Sequence, residues 1–83
     1  MICNPVIAGG GQVYKIMPRV SSWFQTDTAK SGERVTSNEI VDGDTYIVRG
    51  VDGSEIPRIA EEQRPGVSTI TFIMPNQDVV VGT

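Results

Sequence analysis

The chain predicts an all-β fold, a small sandwich or open barrel of six to seven short antiparallel strands. Three observations carry that expectation. Residues 67–74 alternate, with Ile70, Phe72 and Met74 on one face and Thr69 and Thr71 on the other, which is the period of a half-buried strand. Turn signals at Gly32, Asp42-Gly43, Asp52-Gly53, Pro65-Gly66 and Pro75-Asn76 recur at intervals of about ten residues, the spacing of small β folds. No amphipathic segment reaches helix length. The alternative is a β-grasp-like α+β fold, in which Thr26 to Gly32 or Ala60 to Gly66 supplies a short helix.

In chain order, residues 1–11 read as a flexible arm or linker. Asn4-Pro5 restricts the backbone to extended or turn geometry, and Gly9, Gly10 and Gly11 form a flexible run. Residues 12–83 read as a single β domain. A first strand is expected over Gln12 to Met17, stopped by Pro18, and a short second one over Arg19 to Gln25. The polar stretch Thr26 to Glu33 turns at Gly32 and feeds a strand that runs to Val41. Asp42-Gly43 reads as a hairpin, since Asp and Gly tolerate the positive φ of tight turns. Strands over Thr45 to Val51 and Glu55 to Ile59 flank a second such hairpin at Asp52-Gly53. Ala60 to Gly66 is charged and reads as a loop. The strong strand Val67 to Met74, the turn Pro75 to Asp78 and the closing strand Val79 to Val81 complete the domain.

Composition excludes several functions. The 83 residues are enough for one domain, and a domain of this size buries only about 60% of its unfolded surface. With one Trp, two Tyr and two Phe, the core must be mostly aliphatic. Seven basic against ten acidic residues give a net charge of −3, and Arg19, Arg34, Arg49, Arg58 and Arg64 do not cluster. Nucleic acid is therefore not an expected partner, because its binding rests on neutralising phosphates. The single Cys3 cannot close an internal disulfide, and it reads as an ordinary free thiol in the arm. No apolar run reaches the length of a membrane span.

The chain has no histidine, which removes the usual general base, the Ser-His-Asp triad and most zinc sites. No metal or other cofactor is expected, and the chain reads as not an enzyme. Glu61 and Glu62 are neighbours and should point apart, so they suit solvated charges better than joint acid–base work. Asp42, Asp44 and Asp52 fit turn chemistry better than a calcium loop, because their spacing is not that of the helix–loop–helix calcium motif. Lys15 or Lys30 with Asn38, Asn76 or an Asp offers the residue types of an intramolecular amide cross-link, although strand lysines are usually just solvated. Trp23 and Phe24 are the candidate partner contacts. Neighbours on a strand face opposite ways, so one ring can be exposed as an interface anchor. The other reading has Trp23 cap the edge of the core while Phe24 bends inward.

Four segments together carry a resemblance. They are Ala29-Lys30-Ser31-Gly32-Glu33-Arg34-Val35-Thr36, then Asp42 to Tyr46, then Val51 to Pro57, and finally Ile70-Thr71-Phe72-Ile73-Met74-Pro75-Asn76-Gln77-Asp78-Val79-Val80-Val81. In this order they resemble the internalin-B-type repeat of bacterial surface proteins, in divergent form, over residues 29–81. That repeat shows an Ala-Lys-x-Gly stretch, a Gly-Tyr turn, an Asp-Gly hairpin and a closing Phe-x-Met-Pro-x-x-Asp-Val-x-Val strand. Residues 1–28 depart from the pattern, and Trp23-Phe24 precedes the Ala-Lys stretch.

The resemblance implies a non-enzymatic structural or protein–protein interaction module with a protein partner. Its place would be the cell surface or the extracellular space, as part of a longer exported protein. The alternative expectation is a free-standing small phage-encoded protein. Such a protein would be a virion component or an inhibitor that binds a host protein, placed in the virion or the host cytoplasm.

Overall fold

The structure, a computed structural model of the chain, describes residues 12–82. The expected arm over residues 1–11, with Cys3, lies outside the described residues. Nine strands form in chain order: β1 Val13–Pro18, β2 Thr28–Lys30, β3 Arg34–Thr36, β4 Ile40–Val41, β5 Ile47–Gly50, β6 Glu55–Ile56, β7 Arg58–Arg64, β8 Val67–Ile73 and β9 Val79–Gly82. Two 3-10 turns, η1 Ser21–Trp23 and η2 Gly43–Thr45, interrupt them. The fold is all-β, and no α-helix occurs among the described residues, so neither helix of the β-grasp alternative forms.

The strands make two sheets. One has five strands in the order β2-β1-β9-β5-β6. In the other, β8 is central: β3 and β4 pair with one side of it, and β7 pairs with the other. Pairing is antiparallel except between β1 and β9, which run parallel. The strand count thus exceeds the expected six to seven, and one pair departs from the expected direction.

β8 fixes how the sheets meet. Its alternation sends Ser68, Ile70 and Phe72 inward. Met74 follows them, and Ile70, Phe72 and Met74 are at most 2% exposed. Burying each such side chain stabilises the fold by about 1.5–3 kcal/mol. The chain then crosses to the first sheet, where Val79 and Val81 of β9 are fully buried beside Val48 and Ile16. One core therefore joins residues from both sheets.

The crossing segment Pro75 to Asp78 holds its neighbours by side chains. Asp78 Oδ1 accepts the Lys15 N–H at 2.8 Å, which extends the β1–β9 ladder by one rung. Asn76 Oδ1 accepts the Tyr14 hydroxyl at 2.7 Å. Gln77 Oε1 accepts the Asp52 N–H, and its amide lies over Gly50, where any Cβ would collide with it.

Several expectations change. The strand expected to run from the Gly32 turn to Val41 is split into β3 and β4, which pair with β8 one residue out of step. Arg19 to Gln25 is not a strand, since η1 occupies its centre. β2 forms within the stretch expected to be a polar turn. Asp42-Gly43 is not a hairpin, because β4 pairs with β8 while β5 pairs with β6 and β9 in the other sheet. The segment expected as the loop Ala60 to Gly66 is strand through Arg64, and only Pro65-Gly66 turns, with Gly66 at φ +78°. The Asp52-Gly53 hairpin forms as expected, with Gly53 at φ +93° and Val48 opposite Ile56. Its return strand ends at Ile56. Pro57 then passes the chain to the second sheet, as the missing N–H of proline favours at a strand end.

Gly43 is needed for space. Asp42 takes the left-handed conformation, at φ 57°. A Cβ on Gly43 would lie 2.8 Å from the Ser68 carbonyl oxygen and 3.1 Å from Ile40 Cβ. Both obstacles belong to the packed sheet and cannot swing aside. Gly43→Ala is therefore expected to lower unfolding stability by about 1–3 kcal/mol, the cost of overpacking. Urea denaturation checks this, and an unchanged midpoint would show that η2 can lift off β8 freely.

Candidate functional site

Trp23 and Phe24 are both in the core, 9% and 7% exposed. The rule that neighbours face opposite ways applies to strands. Here Trp23 ends a 3-10 turn and Phe24 resumes extended backbone at φ −128°, so both rings turn inward. Trp23 meets Tyr46 with ring centroids 4.6 Å apart, and Phe24 and Phe72 pack in a T shape with centroids 6.2 Å apart. Asn38 clamps the turn: its N–H donates to the Trp23 carbonyl at 2.7 Å and its Nδ2 to the Ser22 carbonyl at 2.9 Å. Neither ring is presented at the surface of the chain.

The aspartates divide by role. Asp52 Oδ1 accepts both the N–H and the hydroxyl of Ser54, at 2.9 and 2.7 Å, which is turn chemistry. These bonds, with the Gln77 side chain, hold its carboxyl below the ordinary 3.8. Asp42 fixes η2 through its backbone, donating to the Gly66 carbonyl and accepting from Thr45 N and Oγ1. The side chains of Asp42 and Asp44 are exposed. Among the described residues no group of three His, Cys, Asp or Glu is placed to hold a metal ion. No described helix is long and apolar enough to cross a membrane. The amides of Asn38 and Asn76 are engaged with Ser22 and Tyr14, while Lys15 and Lys30 are exposed.

Edges of sheets are where a β protein meets others, and the chain treats its edges differently. On β2, the Ile16 N–H donates to the Asp27 carbonyl, so in the antiparallel alternation Thr28 and Lys30 turn their backbone groups outward. Glu33 caps Lys30 there: its Oε1 accepts the Lys30 N–H at 2.7 Å and its own N–H bonds the Lys30 carbonyl. The Thr26 hydroxyl reaches the Thr28 carbonyl at 3.3 Å. On the opposite edge, β6 has only two residues and ends at Pro57.

β7 differs. It is seven residues long and pairs on one side only. Ile70 turns its N–H and C=O toward Ser37, so Thr69 and Thr71 face β7, where Glu61 and Ile59 oppose them. By the same alternation, the backbone groups of Arg58, Ala60 and Glu62 point away from the sheet. These groups have no hydrogen-bond partner among the described residues.

The outer face beside that edge is uncovered. Ile59 is 70% exposed, Ile73 52% and Val41 69%. Ile59, Thr71 and Ile73 line a shallow depression of about 420 Å³ with Pro57, Arg34 and Glu61. The inner side of the same hairpin is acidic. Asp42, Asp44 and Glu62 surround Ala60, Gly66 and Ser68 in a second depression of about 420 Å³. Glu61 and Glu62 thus open onto different faces. Ser68 is 4% exposed, and its hydroxyl has no hydrogen-bond partner among the described residues. Sequence reasoning missed this region because its residues are polar and read as a loop. The available signals were apolar Ile59 beside Ala60, and Ile73, which breaks the otherwise polar outer face of β8 and already marked a second contact surface in the sequence.

Comparison of the chain with protein-family models, curated proteins and solved structures found no match.

Two outcomes are expected. Trp23→Ala removes a buried ring and should cost about 3–5 kcal/mol of stability, read as a fall in melting temperature; an unshifted melt would place the ring outside the core. Ser54→Ala should raise the Asp52 titration toward 3.8. The sign follows from linkage: a carboxyl depressed in the folded state contributes stability above its unfolded value, lost as pH falls through the folded one. Carbon-detected NMR titration of Asp52 checks it, and an unmoved midpoint would clear Ser54 as the cause.

Proposed function

We propose that the chain is a non-enzymatic protein-contact module, a β scaffold of the kind the resemblance to bacterial surface repeats implies. The observation that carries this reading is the uncovered outer face of the second sheet. A four-stranded sheet that buries one side has Ile59 and Ile73 standing together on the other, at the open edge of β7. Apolar groups rimmed by charge mark contact sites more often than a plain solvated surface does. Arg34 and Glu61 form that rim.

The composition supports the same reading. With no histidine and a single cysteine, the chain lacks the usual nucleophile–base pairs of enzymes. The order of the four repeat-like segments supports a surface setting, with the closing Phe72-Ile73-Met74-Pro75 stretch as its most specific piece. In this reading Trp23 and Phe24, both buried, support the contact rather than make it. They hold η1 and Phe72 in place behind the sheet.

The test is retention of a defined partner. The chain, immobilised, should retain from its source organism a protein that the Ile59→Glu, Ile73→Glu double variant does not retain. Both positions face solvent, so the variant should melt at the wild-type temperature. Equal retention by the two proteins would remove this face from the contact.

A further inference from the structure

We propose that β7 accepts an added strand from a protein partner, an extended segment that alternates Lys or Arg with apolar residues. This rests on the contact reading above and names the partner's chemistry. Strand addition needs backbone groups aimed at solvent. Arg58, Ala60 and Glu62 offer three residues of them along one edge. The β2 edge is capped by Glu33 and Thr26, and the β6 edge is cut short by Pro57. Among the described residues, the two edges of the first sheet are thus closed, and in the second sheet the seven-residue β7 edge is open opposite the short β3 and β4.

The two faces beside β7 set the side-chain pattern. A strand laid on this edge turns alternate residues to the inner and outer sides. Inward residues meet the depression bounded by Asp42, Asp44 and Glu62, which the buried Ser68 also lines, its hydroxyl without a partner among the described residues. Lys or Arg fits that place by charge, and its donors match the Ser68 hydroxyl oxygen and the carboxylates. Outward residues meet Ile59, which is 70% exposed, and an apolar side chain fits there. The Arg58 guanidinium does not compete for the acidic groups, because it is bound to the Tyr46 and Asp44 carbonyls at 2.9 and 2.8 Å. A second copy of the chain fits poorly. Full antiparallel overlap of two β7 strands sets Glu61 against Glu61 and Arg58 against Arg64, and like charges directly opposite are destabilising.

The probe is an octapeptide alternating Lys and Val, titrated into the full chain and followed by amide NMR shifts and fluorescence anisotropy. It should bind through β7, with affinity falling as salt screens the charges. The Asp42→Asn, Asp44→Asn, Glu62→Gln variant should bind at least about tenfold more weakly, as loss of paired charges requires. Ala60→Pro removes one outward N–H without touching the β7–β8 ladder and should abolish binding. If that variant fails to fold, alternate N-methylation of the peptide removes the same pairing from the other side and should abolish binding. Equal binding of a Glu-Val octapeptide, binding that survives both blocks, or no binding at all would overturn the proposal. So would dimerisation of the chain that Ala60→Pro abolishes, since a second copy would then be the occupant. Failure here with partner retention on the outer face intact would leave the contact reading standing.

Discussion

The structure depends on one strand having one register. β8 pairs with β3, β4 and β7, and its alternate residues supply the centre of the core. A slip of one residue would exchange Ile70 and Phe72 for Thr69, Thr71 and Ile73. That exchange would bury threonine hydroxyls and place two large apolar groups in water. It would also move Met74 and the crossing after it, so that Val79 and Val81 could not reach the same core. The register is pinned at the far end of β8 and in its middle. Met74 bonds the Gly32–Glu33 turn through its N–H and carbonyl, each at 2.8 Å. In the middle, the Ser37 hydroxyl accepts the Ile70 N–H in place of a backbone carbonyl. That substitution absorbs the change of register between β3 and β4, which pair with β8 one residue out of step.

The sequence was legible where local chemistry and tertiary demand agree. In β8 the alternation of Thr with Ile and Phe states both the strand and its buried face. At Asp52-Gly53 the turn residues match a hairpin whose two strands are true neighbours. At Asp42-Gly43 the same dipeptide misleads, because its flanking strands belong to different sheets and the glycine answers a packing demand from Ser68. No local pattern contains that demand. Trp23 and Phe24 left two readings open for a related reason, and the structure favours the one that turns them inward. Their inward placement depends on a 3-10 turn held by Asn38, fifteen residues along from the Trp carbonyl it binds.

β7 is the clearest case of structure imposed from outside. Its Glu61-Glu62-Gln63-Arg64 run has little strand preference of its own. Pairing with β8 makes it a strand, and its edge position keeps it polar, since only one side must be covered. The candidate site lies in that least legible segment. If this edge is the contact surface proposed above, it must satisfy solubility as well as a partner, so its sequence looks like any solvated loop. The pattern that would have exposed it is relational: β7 beside β8, and Glu62 beside Asp42 and Asp44.

The outer half of the β7–β8 hairpin also stands apart in stability. Residues 61–66 are all exposed, a bulge breaks the ladder between Glu62 and Arg64, and the nearby Arg64–Glu39 pair at 3.2 Å is solvent-exposed. Exposed pairs of this kind contribute at most about 1 kcal/mol. Few apolar contacts hold this end, so it belongs to the part of the molecule that opens most readily. A strand added along β7 would supply what the hairpin lacks, a second row of backbone bonds and cover for Ile59. Binding and local ordering would then be one event. The rigid core behind, from Phe72 through Trp23 to Tyr46, keeps Arg58 on the Tyr46 carbonyl and so holds the near end of the edge in place. The edge is thus anchored at its core end and loose at its tip, an arrangement in which the proposed partner strand would zip outward from Arg58 with no rearrangement of the sheet.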